Sequence, residues 1–91
     1  MTVAPWLWLI CDHDNPDQVH ACGTQHTRPY ASAEAIAAER IAGYAYHVLT
    51  GGGDVDRLAR AVCRVKRAGE PTWEATVRGD AWAKRIHQAR R

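Results

Sequence analysis

The sequence predicts an α+β domain: an N-terminal β-hairpin packed on a long helix, then a basic, mainly helical half. Three observations predict it. The run Trp6-Leu7-Trp8-Leu9-Ile10 behind Pro5 is short, apolar and aromatic, as strands are. The stretch from Ala33 to Leu49 carries apolar residues at helical spacing and no breaker except Gly43. The charge is divided: residues 1–50 hold two basic and five acidic side chains, whereas residues 51–91 hold ten basic and five acidic.

In the first strand Trp6, Trp8 and Ile10 share one face, and Leu7 and Leu9 the other. Asp14-Asn15-Pro16-Asp17 has the composition of a turn, because Asn and Asp bond their own backbone and Pro fixes φ. Gln18 to Cys22 then returns as a second strand, and Gly23 supplies a permissive backbone. Ser32 is placed to cap the long helix, with Glu34 in its first turn. Ala37, Ile41, Tyr44, Ala45 and Val48 form its apolar stripe. Gly51-Gly52-Gly53 ends it and is the one candidate hinge, dividing the chain into residues 1–50 and 54–91 of what is expected to be one compact domain.

Beyond the hinge, Asp54 is expected to cap a second helix running to Gly69. Val55, Leu58, Val62 and Val65 would line one side of it, and Arg57, Arg60, Arg64 and Arg67 another. Trp73 to Arg78 fits a strand or a helical turn. Ala81 to Arg91 reads as a final helix, with Trp82 and Ile86 inward and Lys84 and Arg85 outward. The segment from Ala75 through Gly79 to Ile86 weakly resembles a helix-turn-helix.

Residues 11–26 contain two of the three cysteines and three of the five histidines. Thiolate and imidazole are the donors a tetrahedral Zn²⁺ prefers, and a bound zinc would supply folding energy to a chain with few large apolar side chains. Two ligand sets satisfy the spacing. If Cys11 opposes His20 across the hairpin, then Cys11, His13, His20 and Cys22 share a face. Alternatively Cys11 and His13 combine with Cys22 and His26, which flank Gly23. A Cys-Gly step of this kind resembles a zinc knuckle. On that basis residues 6–49 resemble the small ββα zinc fingers and zinc-ribbon-like proteins of bacteria and bacteriophages. The resemblance implies Cys11, His13, Cys22 and His26 as ligands of one structural zinc, with His20 as a substitute. The chain departs from that pattern in using Cys-x-His for the first pair.

The odd cysteine count and the absence of a basic, apolar leader argue against a disulfide framework and point to a reduced cytoplasmic protein. The apolar runs are too short to span a membrane. The abundance of Ala and the ten Arg against two Lys fit a GC-rich bacterial genome or one of its viruses. No His-Glu-x-x-His or His-x-Glu signature is present, so an enzyme is not expected. A zinc hydrolase using Asp12, Asp14 or Asp17 as base is the remote alternative. The leading expectation is a nucleic-acid-binding regulator, with DNA contacted by Arg57, Arg60, Arg64, Arg67, Lys84 and Arg85. The alternative is a protein-interaction module anchored by Trp73, Trp82 and the same arginines. Cys63, His47 and His87 read as structural or solvated side chains.

Overall fold

A computed structural model describes residues 4–26 and 32–90. The elements follow in the order β1 (Trp6–Asp12), β2 (Val19–Gln25), α1 (Ala33–Leu49), α2 (Val55–Ala59), β3 (Ala61–Arg67), β4 (Ala75–Arg78) and α3 (Asp80–Ala89). The four strands form one antiparallel sheet in the order β2-β1-β3-β4. The class is α+β. Because β1 and β3 pair along their whole lengths, from Trp6 opposite Arg67 to Asp12 opposite Ala61, the segments on either side of the glycine run share one sheet.

The first hairpin turns where the sequence predicts. Asp12 closes β1 by accepting the N–H groups of Asp14 at 2.8 Å and Asn15 at 3.2 Å. The Asn15 side chain accepts the Asp17 N–H at 3.3 Å, the self-bonded turn such residues favour. β2 extends past Cys22 and through Gly23 to Gln25. A bulge between Ile10 and Cys11 leaves His20 without a partner across the ladder: Ile10 faces Ala21, and Cys11 faces Val19.

α1 has the bounds the sequence predicts. The Ser32 hydroxyl accepts the Ala35 N–H at 3.1 Å, Glu34 lies in the first turn, and His47 in the last. The Thr50 hydroxyl donates to the Tyr46 carbonyl at 3.0 Å, and Gly51 (φ 93°) takes the left-handed conformation that ends many helices. Ile36, Ala37, Ile41, Ala45 and Val48 are buried at spacings of three and four.

The second half corrects the sequence reading. The expected helix from Asp54 to Gly69 is only five residues long, Val55–Ala59, with Asp54 accepting the Asp56 N–H at 2.9 Å. Arg60 ends it, and the chain enters the central strand β3. Val62, Cys63 and Val65 suit a strand flanked on both sides, and pairing with β1 and β4 supplies a hydrogen-bonded place for them. The resemblance of Ala75–Ile86 to a helix-turn-helix likewise fails, since Ala75–Arg78 is the edge strand β4. Gly69, at φ 89°, makes the turn between β3 and β4.

The three helices pack against one another. α1 lies over β3, β4 and β1 and holds Trp6, Ile10, Cys63, Val65 and Ala75 beneath Ile36, Ala37 and Ile41. A second cluster, Ala45, Val48, Leu58, Ala83 and Ile86, joins α1, α2 and α3. Half-buried Tyr44 and Trp82 belong to both. Gly79 lets β4 turn into α3 against α2: a Cβ there would stand 2.5 Å from the Leu58 carbonyl oxygen. Among the described residues no helix is long and apolar enough to cross a membrane.

Candidate functional site

Side chains alternate along a strand, so half of each strand points away from the helix layer. The register arranges these outward residues in three rows. One is Thr24, Leu7 and Lys66; the next is Cys22, Leu9, Arg64 and Thr76; the third is Val19, Cys11, Val62 and Arg78. Cys11 and Val62 are buried yet belong to neither helix-side cluster, consistent with their place on this second face. The face is open around half-buried Leu7, Leu9, Arg64 and Lys66 and exposed Cys22, Thr24 and Thr76, and is closed at its Cys11 and Val62 end.

The composition of this face is asymmetric. The β1/β2 side is aliphatic, with half-buried Leu7 and Leu9 and exposed Val19. The β3/β4 side holds three cations, Arg64, Lys66 and Arg78, and none of the eleven outward strand residues is a carboxylate. Two acids stand at the border: Glu74 precedes β4, and Asp80 follows it with an oxygen 3.8 Å from Arg78 Nε. Both partners of that pair are about half exposed, so the attraction is weak. Lys66 Nζ lies 4.7 Å from the Trp73 ring centroid, which puts this exposed indole at the rim of the face. Arg64, on the central strand, makes no ion pair, side-chain hydrogen bond or ring contact among the described residues.

The expected arginine stripe is dispersed, because a stripe at helical spacing does not survive on a strand. Arg57 is exposed on α2. Arg60 turns to Asp12, Nε to Oδ2 at 3.3 Å. Arg64 faces outward. Arg67 points to the helix side, where it stacks 3.8 Å from the Trp6 ring and donates to the Ala4 carbonyl at 2.8 Å. Lys84 and Arg85 are exposed on α3, in the helix layer, with Arg85 5.3 Å from the Trp82 ring. Trp82 is half-buried between the clusters, and only Trp73 of the two expected anchors borders the open face.

The five candidate zinc ligands are likewise not gathered. Cys11 is fully buried, and Cys22 is exposed opposite Leu9. His13 is exposed, its Nδ1 2.9 Å from the Asp14 carboxylate. His26 is exposed just past β2. The pairing of Cys11 with His20 required by the first ligand set does not form, because the bulge sets Cys11 against Val19 and frees His20 to stack on Tyr44 at 6.1 Å. Among the described residues no three His, Cys, Asp or Glu side chains come together as a group able to hold a metal ion.

The ionisable groups nearby serve the fold. Asp12 is held below its ordinary value of 3.8, first by the Asp14 N–H and further by Arg60 and the Asn15 N–H, against the opposing effect of burial. Burial lowers the pKa of His20, and Arg57 adds repulsion, so both favour the neutral imidazole. Burial pushes the Cys63 thiol up to about 11, which leaves it protonated and unreactive.

The sequence placed Leu7 and Leu9 together on one face of β1, but that Lys66 joins them was hidden. Its one signal is the alternation Arg64-Val65-Lys66, which a helical count of the same segment obscures. Compared with known proteins, the chain matches no family model, no curated protein and no solved structure.

Proposed function

We propose that this chain binds nucleic acid, DNA first, through the open face of its sheet. The observation that carries the reading is the composition of that face: three cations, no strand carboxylate, and an indole at the rim. Phosphate contacts need cations held at a fixed spacing, and a sheet spaces them along and across its strands. β-Sheets are known to enter DNA grooves in this way. Arg64 is the central contact, because nothing among the described residues competes for its guanidinium. Trp73 offers a flat surface on which an unpaired base can stack. The proposed role is binding rather than catalysis, and it makes no use of zinc, since among the described residues no three candidate ligands lie together.

A second reading, a protein-interaction module, has one observation in its favour. Tyr46 (69% exposed) and Leu49 (53%) stand on α1 beside an apolar groove of about 360 Å³ between α1 and α3, which Trp82 and Ile86 also line. Large exposed apolar side chains around a groove mark contact surfaces.

The test is fluorescence anisotropy of a short labelled DNA duplex between about 50 and 200 mM salt, where log K falls by about 0.9 per phosphate contact for each decade of salt. Arg64→Ala combined with Arg78→Ala is expected to weaken binding and reduce the slope by about 2. A double variant that binds with unchanged affinity and slope would overturn the proposal, and a wild type without measurable affinity for the duplex would favour the second reading.

A further inference from the structure

The sheet has two edges, and they are guarded differently. β4 is four residues long, ends in Arg78 and is bordered by Glu74 and Asp80. Short, charged edges resist pairing with other chains. β2 is seven residues long, Val-His-Ala-Cys-Gly-Thr-Gln, with no Lys, Arg, Asp, Glu or Pro. Its bulge lies at its first turn of the ladder, by His20, and the stretch from Ala21 to Gln25 pairs with β1 in regular register. Along its other side β2 has no strand partner among the described residues. An uncharged edge of this length, without Pro and with exposed Val19 and Cys22, is a template for another strand.

We propose that two copies of this chain join through β2, antiparallel, into one continuous eight-stranded sheet. The strand is complementary to itself. An antiparallel pairing centred on Cys22 uses all seven positions, sets Val19 against Gln25, and brings no charge opposite a like charge. Such a contact is isologous and closes at two subunits. It also orders the open face. The aliphatic β1/β2 halves meet at the centre, and each copy's Arg64, Lys66 and Arg78 lie on the two flanks. The inference stands on the edge of β2 and does not need the nucleic-acid reading. If both hold, the target has two related half-sites.

The test is sedimentation equilibrium of the full chain at concentrations up to roughly millimolar, the weak end of specific association. The wild type is expected to reach twice its 10.1 kDa chain mass. Cys22→Lys with Thr24→Lys places like charges across the two-fold axis, and should raise the dissociation constant at least about tenfold while circular dichroism and melting stay unchanged. Because Cys11 and Cys63 are buried, a short bismaleimide should link the wild type through Cys22. Cys22→Ser should lose the link but still dimerise. Arg64→Ala/Arg78→Ala should dimerise as the wild type does, which separates this proposal from the one on nucleic acid. A wild type that stays monomeric throughout, or a double-lysine variant that dimerises like it, overturns the proposal.

Discussion

The helix-covered face of the sheet carries Trp6, Ile10, Cys63 and Val65, whereas the uncovered face of the same two strands carries Leu7, Leu9, Arg64 and Lys66. The difference extends to the cations. On the covered side Arg67 stacks on Trp6 at 3.8 Å, and Arg40 lies 4.6 Å from Trp8 while donating to the Gln25 side chain at 2.9 Å. Their charge is tied to the fold. On the uncovered side Arg64 is uncommitted, Lys66 rests on a rim indole, and Arg78 has one loose, solvent-screened pair. The pleat thus sorts the two strands: even positions of β1 and odd positions of β3 face the helices, and the others face away. A residue count of arginines cannot reveal this. The face each one occupies can.

The largest expected effect comes from cutting into the covered side. Ile41→Ala, at a site that is 1% exposed, should cost about 2–5 kcal/mol in denaturant unfolding. Arg64→Ala should stay within about 0.5 kcal/mol of wild type. Equal losses in the two variants would erase the distinction between the faces.

A smaller effect is expected at the end of β1. Asp12→Ala leaves the Asp14 and Asn15 N–H groups without their acceptor and Arg60 without its carboxylate. Since the folded carboxyl titrates below 3.8, its contribution is present above that pH and is lost as pH falls through the lower folded value. The gap in melting temperature between wild type and variant should therefore be widest near neutrality and narrow in acid. A gap that is constant with pH would contradict the assigned role.

The smallest effect expected is that of a chelator. With no three candidate ligands together among the described residues, EDTA should leave the melting temperature where it was. A large drop would restore one of the two zinc sets and move the explanation of stability back to the hairpin.

How much of this was legible in the sequence depends on whether one period or two fit a segment. α1 was readable because seventeen residues allow only the helical repeat, and because Ser32 and the glycines mark its ends. The β1 turn was readable from Asp14-Asn15-Pro16-Asp17. β3 was not. Val55, Leu58, Val62 and Val65 satisfy a helical stripe, yet Val62 and Val65 lie on opposite faces of a strand, and only pairing with β1 decides between them. The candidate zinc ligands stand apart among the described residues for a related reason. Ligand spacing along the chain assumes a register, and a single bulge beside Cys11 changes which side chains meet. The open face was therefore visible only once both neighbours of β3 were known.

The most direct test of the separation between faces is a methyl NMR titration of the protein with a short DNA duplex. The account predicts that Leu7 and Leu9, on the uncovered face, shift progressively with added DNA, while Leu49 and Ile86, beside the groove between α1 and α3, do not. Shifts confined to Leu49 and Ile86, or none at either place, would contradict it.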